Sequence, residues 1–471
     1  MKLRGNIGRR RIWGRFVDKG AARWGRFGRK RALRRRRSML PTVPLALAAA
    51  LLAGCVGGKP DRFDPDKPFK VTVLYRNESM FMREFGQSFS LEYPKAELHV
   101  VRTEGTAPDQ LEALIAEKRP DVLVMRADEY ESWSAKGMLL SLEPFVRETK
   151  FDTDGIAPNL VEALKAWGGG QLQGLAPAYL TELLFYNKAL FERYGVPYPT
   201  AGMTWEELLM LSARFPKTGD DGKPLYGYYD QAGGPVAIAE KIGRLAGTFP
   251  TDADGKRAVI GTEAWKRLFD YGFRLYKTGN VSPRSGQAGP DGLPDDAFLN
   301  GRAAMTTYIG TYFSLIESRH RSAQPSAPAV DPKDVAAVPM PVWEAGGAPV
   351  TAYVVPAIFG IYADAPDPRA AWELVRYVNG DAFARVHAKS TPYMPARPSF
   401  ADPAKPWMNA AFYEAKAAPG APAAPRGFSL SAAVAAEAKR VQEGAATLEE
   451  ALPAMANAAQ AALDRANQAQ R

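Results

Sequence analysis

The sequence is poor in the residues that build disulfides and metal centres. Its 471 residues include one cysteine, and its three histidines lie far apart at His99, His320 and His387. A single cysteine excludes a disulfide framework and a cysteine-cluster metal site. The phosphate-binding patterns G-x-G-x-x-G after the first predicted strand and G-x-x-x-x-G-K-[ST] are both missing. We therefore predict no metal and no cofactor.

An excess of positive charge is missing from most of the chain. The formal net charge is +10, which alone would point to a nucleic-acid partner. However, residues 1–37 hold 16 Lys/Arg and one acidic residue, whereas the residues from Cys55 onward hold 45 basic and 50 acidic side chains. The body of the protein is mildly acidic, so we predict no nucleic-acid partner. Hydrophobic residues at 46% and charged residues at 24% indicate a globular protein rather than a disordered or multi-span membrane chain.

The N-terminal segment has the features of a bacterial export signal. Arg34–Arg37 precedes an apolar run over residues 39–53, which is short for a membrane span and suits a signal peptide. The run ends in Leu-Ala-Gly-Cys55, which resembles the lipobox of bacterial lipoproteins. Small residues there give the peptidase access, and the thiol carries the lipid. Since the only cysteine of the chain lies at this position, we predict lipidation of Cys55.

This interpretation divides the N-terminal part of the chain. Residues 1–54 form a signal peptide with a basic extension, and residues 55–68 form a Pro/Gly-rich tether. The basic extension is long for a signal peptide, so a start at Met39 is the alternative to a start at Met1. The remaining body is too long for one core and predicts two lobes.

The body alternates between strand and helix patterns. Phe69–Tyr75 alternates in polarity and predicts a first strand. Residues 106–119 predict a helix with Thr106 as N-cap, and Asp121–Met125 is a short apolar run typical of a strand buried on both faces. This order predicts a βαβ unit and an α/β fold. Further elements are predicted at residues 97–102, 183–187, 188–194, 303–309, 367–380 and 448–470, and Trp205, Trp265 and Trp372 are predicted core residues.

Four segments together resemble the family 1 extracellular solute-binding proteins of ABC importers. They are residues 121–140, 175–209, 296–312 and 367–379, which include the motifs Y-N-K-A-L-F, A-F-L-N-G-R-A-A-M and A-W-E-L-V-R-Y-V. The family includes maltodextrin-binding proteins. The resemblance implies the type II periplasmic-binding-protein-like fold, with two α/β lobes joined by crossover strands and a ligand cleft between them. It places residues 69–178 plus 313–380 in lobe 1 and residues 179–312 plus 381–471 in lobe 2.

The candidate ligand contacts combine this resemblance with the rule that ligands bind at the carboxyl ends of strands. Asp128 falls where sugar-binding relatives keep a carboxylate, and Gly310-Thr311-Tyr312 resembles the family's aromatic platform. Aromatic rings stack on sugar faces while charged groups bind hydroxyls. The predicted contacts are Glu78, Arg126, Asp128, Tyr179, Tyr229, Tyr308, Tyr312, Trp343 and Tyr353. Half-buried packing is the alternative role for the tyrosines.

The resemblance implies a lipid-anchored importer receptor on the extracellular or periplasmic side of the membrane. Its expected partners are a small solute, which we expect to be a carbohydrate, and the transmembrane subunits of an ABC permease, with the receptor itself a monomer. No catalytic residue is predicted, since no G-x-S-x-G or H-E-x-x-H motif occurs. The alternatives are a secreted lipoprotein enzyme that processes glycosides, which would turn its sugar over, and an adhesive surface lipoprotein, which would favour internal repeats.

Overall fold

A computed structural model describes residues 63–284, 295–323, 329–405, 408–420 and 425–469. The predicted signal peptide, Cys55 and most of the predicted tether lie outside the described residues.

Two sheets organise the described chain. The first has five strands in the order β2-β1-β3-β12-β4, and the second has the order β11-β5-β8-β6-β7 with β9 and β13 also paired to β5. A short third ladder joins β10 to β14. The strands are β1 (Phe69–Tyr75), β2 (Ala96–Arg102), β3 (Val122–Met125), β4 (Gly174–Leu175), β5 (Ala178–Asn187), β6 (Tyr226–Asp230), β7 (Val281–Pro283), β8 (Ala303–Ile309), β9 (Val335–Pro339), β10 (Val350–Thr351), β11 (Tyr353–Val354), β12 (Ile358–Ile361), β13 (Met394–Pro395) and β14 (Lys416–Ala417).

Helices cover both sheets and fill the connections. The first helix in the described part of the chain is continuous from α1 through a five-residue π-helical segment, Met82–Gly86, into α2. The helices are α1 (Glu78–Phe81), α2 (Gln87–Glu92), α3 (Leu111–Lys118), α4 (Ala127–Ala135), α5 (Glu143–Thr149), α6 (Pro158–Trp167), α7 (Lys188–Arg193), α8 (Trp205–Ser212), α9 (Pro235–Leu245), α10 (Glu263–Lys277), α11 (Tyr312–Arg321), α12 (Pro368–Val378), α13 (Asp381–His387), α14 (Ala410–Tyr413), α15 (Leu430–Ala433), α16 (Ala435–Gln442) and α17 (Leu448–Gln468).

The predicted βαβ unit is confirmed. Strand β1 pairs in parallel with β2 on one side and with β3 on the other. The side chains of β3 are mostly buried, as a continuous apolar run predicts. The helix before β3 begins later than predicted: a 3₁₀ turn over Pro108–Gln110 leads into α3, and its N-cap is Ala107 rather than Thr106. Proline presets the backbone of a first helical turn, so the turn begins at Pro108.

Two hydrophobic cores match the two sheets. The first packs β1, β3 and β12 against α12, and the second packs one face of β5, β6 and β8 against α8, α9, α10 and α17. The predicted core tryptophans are confirmed, because Trp205, Trp265 and Trp372 are each at most 1% exposed. Their burial removes large apolar surfaces from water and holds the helices on the sheets.

Three connections run between the two sheets, and we call them the crossings. Residues 176–177 lead from β4 to β5, residues 355–357 lead from β11 to β12, and residues 388–393 lead from α13 to β13. Both β11 and β13 pair with β5 close to its start. The start of β5 is therefore the place where all three crossings meet.

Candidate functional site

In both sheets, the carboxyl ends of the parallel strands lie near the crossings. In the second sheet, Ile309 at the end of β8 pairs with Glu182, four residues after the start of β5, and β6 runs parallel to β8. In the first sheet, Tyr75 at the end of β1 lines the same pocket as Ala178 at the start of β5. The strand ends of both sheets therefore lie in one region. Open α/β sheets bind ligands at the carboxyl ends of their strands.

A charged pair lies at the first-sheet edge. Arg126 follows β3 and donates from Nε and Nη2 to the two carboxylate oxygens of Asp128, at 3.1 and 2.9 Å. The hydrogen bonds from Arg126 lower the pKa of the Asp128 carboxyl below its usual range. Both side chains are about two-thirds exposed, so they present a fixed ionic pair to solvent. Such a pair has free lone pairs and N–H groups for a hydroxyl-rich solute.

The end of β1 adds further polar groups to this edge. Asn77 caps α1 by accepting a hydrogen bond from Met80 N, and its amide donates to Glu104 Oε2 at 3.2 Å. Arg102 pairs with the same Glu104 carboxylate at 3.1 Å. The predicted contact Glu78 opens α1 directly after this cap and is exposed. Since β1 and β3 are neighbours, Glu78 and the Arg126–Asp128 pair share one edge of the sheet.

Tyrosines cluster at the second-sheet edge. The ring of Tyr308 is partly buried and lies 4.8 Å from that of Tyr312. Tyr312 is 1% exposed and donates its hydroxyl to Asp296 Oδ2 at 2.7 Å. Tyr229, on the strand next to β8, is 2% exposed. Among these three predicted contacts, Tyr308 therefore offers the most accessible ring surface.

Asp296 holds this cluster in place. Besides Tyr312, its carboxylate accepts hydrogen bonds from the backbone N–H groups of Phe298 and Leu299 and from the Gln231 amide. Burial raises the pKa of the Asp296 carboxyl, while these donors oppose the shift. The four donors hold together the segment before β8, the start of α11 and the loop that follows β6.

Two predicted contacts lie in a separate aromatic cluster at the crossings. Tyr179 and Tyr353 have ring centroids 5.0 Å apart, and Tyr413 packs on Tyr179 at 6.1 Å. Tyr353 donates its hydroxyl to the carbonyl of Ala415. Tyr179 is fully buried, and burial raises the pKa values of both phenols. These rings pack the crossings against the chain segment around Tyr413.

Trp343 lies apart from the other predicted contacts. Its ring packs edge-on against Tyr271 at 6.0 Å, and the Arg267 guanidinium lies 5.5 Å above it. Both partners belong to α10, so Trp343 covers the second core. The structure thus brings the predicted contacts together in three groups: Glu78 with Arg126 and Asp128, Tyr229 with Tyr308 and Tyr312, and Tyr179 with Tyr353.

A pocket of about 360 Å³ lies at the crossings, and none of the predicted contacts lines it. It is lined by the end of β1, the π-helical segment, α13 and residues from all three crossings. Tyr75 is the last residue of β1, so it is the one lining residue that the rule of ligand binding at the carboxyl ends of strands could identify. The others come together only through tertiary packing.

The site holds no evident metal centre. Within the described part of the chain, no three His, Cys, Asp or Glu side chains come together in a way that could bind a metal ion. In the same residues, no helix combines the length and the apolar composition needed to cross a bilayer.

Comparison with known families identifies the class of protein. Residues 89–414 match the bacterial extracellular solute-binding proteins. The match spans most of the chain, so the protein belongs to this family, and the resemblance read from its motifs is confirmed. A solute-binding role outside the cytoplasm follows from the family.

Solved structures confirm the two-lobed type II fold. One is a sugar transporter from Rhizobium etli in an open conformation, 17% identical, with a TM-score of 0.62 over 83% of this chain and 99% of that chain. A family 1 extracellular solute-binding protein from Alicyclobacillus acidocaldarius is 16% identical, with a TM-score of 0.64 over 85% and 100%. The sugar-binding protein MalE from Xanthomonas citri is 17% identical, with a TM-score of 0.60 over 85% and 98%.

Proposed function

We propose that this protein is the receptor of an ABC importer, that it captures a carbohydrate and that it delivers the sugar unchanged to the transmembrane subunits of a permease. The family match over residues 89–414 is the observation that carries the receptor role. The carbohydrate assignment draws support from the sugar-related descriptions of several structural neighbours.

The predicted contacts suit a neutral, hydroxyl-rich solute. Arg126 pairs with both Asp128 and Glu129 at the first-sheet edge, so this edge offers carboxylate oxygens that accept hydrogen bonds from the hydroxyl groups of a solute. Tyr308 supplies a partly exposed ring at the other sheet. Charged groups that hydrogen-bond hydroxyls and a ring that stacks on a sugar face are the two elements of carbohydrate recognition. We assign the first-contact roles to these three residues and supporting roles to the buried tyrosines.

The remaining parts of the proposal concern how the receptor is held and how it moves. A lipid on Cys55 tethers the monomeric protein to the membrane through residues 55–68. The prediction assigns residues 69–178 plus 313–380 to one lobe and residues 179–312 plus 381–471 to the other. Strands β9 and β11 pair with β5, so we assign these two strands to the second lobe instead. Solute binding draws these lobes together, and the permease recognises the closed form.

A thermal-shift screen tests the solute class. The purified protein is screened against mono- and oligosaccharides, with amino acids, peptides and polyamines as controls. A ligand that binds the folded form alone raises the melting temperature by mass action. We expect a shift with one group of sugars. A shift with a non-sugar alone would overturn the carbohydrate assignment and keep the receptor role.

A matched pair of variants tests the site. Asp128→Asn removes a charged acceptor, and we expect it to weaken sugar binding about tenfold or more, since a hydrogen bond to a charged group contributes about 1.5 to 3 kcal/mol. Glu117→Gln, which changes a carboxylate that is 67% exposed on α3, is the control and should bind as the parent does. Equal affinities of the parent and Asp128→Asn would place the site elsewhere.

A further inference from the structure

None of the predicted sugar contacts lines the pocket at the crossings. Its wall includes Pro177 and Ala178, Pro356 and Ala357, and residues 390–393, so it touches every connection between the two sheets. A molecule in this pocket would contact each segment whose backbone changes when two lobes move.

An uncommon piece of helix forms one side of the pocket. Arg83, Glu84 and Phe85 all line it, and all three belong to the π-helical segment Met82–Gly86. Single π-helical turns are rare and occur frequently at functional sites, because the wider turn redirects side chains at a cost in backbone hydrogen bonding. The α-helices on both sides of this segment are regular, so the distortion is confined to the pocket wall.

Aromatic rings form the floor of the pocket as a continuous stack. Phe85 and Phe383 are stacked with ring centroids 5.8 Å apart and planes 22° apart. His387 lies on the other side of Phe383, at 3.9 Å and 14°. All three residues line the pocket. Because Phe383 lies between the other two rings, a further aromatic ring can pack against the edges of the stack, in the edge-to-face arrangement that aromatic pairs favour.

The charged groups that line the pocket are paired with each other. Tyr75 donates its hydroxyl to Glu84 Oε2 at 2.6 Å, and Arg83 lies 3.6 Å from Glu84 Oε1. Burial lowers the pKa of the His387 imidazole, which favours its neutral form. The pocket therefore carries balanced charge, and a charged ligand would lose hydration there without gaining an unpaired counter-charge.

We propose that this pocket binds an uncharged aryl group. The stacked floor, the balanced charge and the redirected helix together define a site that is distinct from the predicted sugar contacts. The aryl group has two possible sources: a separate small aromatic molecule, or the aglycone of an aryl glycoside whose sugar occupies the neighbouring strand ends. The proposal goes beyond the proposed function, and its first test requires no sugar.

The first test compares three probes of similar size by isothermal titration calorimetry on the full chain. Benzyl alcohol is neutral, benzylammonium is cationic and benzoate is anionic. We expect saturable binding of benzyl alcohol and at least about tenfold weaker binding of both ions. Absence of benzyl alcohol binding, or stronger binding of either ion, would overturn the proposal whatever the solute of the receptor proves to be.

Variants on one helix locate the binding. His387→Ala removes a ring of the stack, and Ala384→Leu fills the pocket, so each should weaken benzyl alcohol binding at least about tenfold. Val386→Ala is the control, since Val386 is 65% exposed on the same helix and does not line the pocket. Thermal unfolding of each variant verifies folding. Unchanged affinity in both folded pocket variants would overturn the assignment to this pocket.

Two glycosides distinguish the sources of the aryl group. If phenyl β-glucopyranoside binds more tightly than both methyl β-glucopyranoside and benzyl alcohol, and His387→Ala removes the advantage, the aryl group is an aglycone. If benzyl alcohol binds equally well in the presence and absence of methyl β-glucopyranoside, the aryl ligand is a separate molecule. Either result supports binding of an aryl group in the pocket, and failure of benzyl alcohol to bind contradicts it.

Discussion

At the residue scale, the predicted contact residues are of two kinds. Exposed side chains can contact a solute, and buried side chains support them. Asp128 and Tyr308 retain accessible surface, whereas Tyr179 and Tyr312 are buried. The sequence could place all four near strand ends, because strand boundaries follow from local patterns. It could not show which rings are covered, because the covering segments, such as the one around Tyr413, come from distant parts of the chain.

Asp296 provides a prediction about pH. Burial raises the pKa of its carboxyl above the ordinary value of 3.8, so the folded protein binds the proton more tightly than the unfolded chain. The associated stability is fully present below about pH 3.8 and is lost as the pH rises through the raised pKa. We expect that Asp296→Asn removes this decrease of the free energy of unfolding with rising pH. Urea unfolding of parent and variant between pH 4 and 8 measures it.

The exposed neighbour Asp295 supplies the control for this experiment. Asp295→Asn should reproduce the pH dependence of the parent protein. A stability difference between the parent and Asp296→Asn that stays constant across the whole pH range would contradict the account of Asp296.

At the element scale, strand and helix bounds follow closely from local sequence, while irregular segments do not. The predicted bounds of β1 and β8 are confirmed to the residue. The π-helical segment Met82–Gly86 was not predicted, because its sequence carries no pattern that separates it from an α-helix. Phe85 of this segment stacks on Phe383 of α13, a contact between distant parts of the chain that local sequence does not show.

The contact between α9 and α10 depends on a glycine. A Cβ atom at Gly272 would lie 2.2 Å from the carbonyl oxygen of Pro235, a backbone atom that cannot rotate away. Gly272→Ala should therefore push α10 from α9 and destabilise the protein by about 1 to 3 kcal/mol, the usual cost of overpacking a core. Urea denaturation measures the loss.

Gly261→Ala is the matched control for this substitution. The nearest atom to a Cβ there is 3.7 Å away, which is an ordinary van der Waals distance, so stability should change little. Equal stabilities of the two alanine variants would show that the helices do not approach each other as closely as described.

Arg397 joins three separate segments behind β13. Its side chain is 4% exposed and donates to Asp152 Oδ2, to the Asp152 carbonyl and to the Asn379 carbonyl, and it also pairs with Asp381 at 2.9 Å. Arg397→Ala leaves a buried carbonyl without its donor, and we expect a loss of about 2 to 3 kcal/mol in the free energy of unfolding. Arg385→Ala, on the exposed face of α13, should cost much less; a similar cost would refute the role given to Arg397.

At the scale of the whole molecule, the family match and the sheet topology point to the same kind of protein. The family match gives a solute-binding role, and the sheet topology brings the strand ends of both sheets to the crossings. The alternation of strands and helices made the α/β class predictable from the sequence. The pocket at the crossings was not predictable, because its wall combines residues about 300 positions apart, from Tyr75 to Tyr393.

The central claim is that the protein binds a sugar and releases it unchanged. Isothermal titration calorimetry of the full chain with the sugar selected by the thermal-shift screen, followed by chromatography of the recovered ligand, tests it most directly. We predict saturable binding with one site per chain and full recovery of intact sugar. Conversion of the sugar to products would contradict the receptor role and favour the enzyme, and failure of every sugar to bind would contradict the carbohydrate assignment.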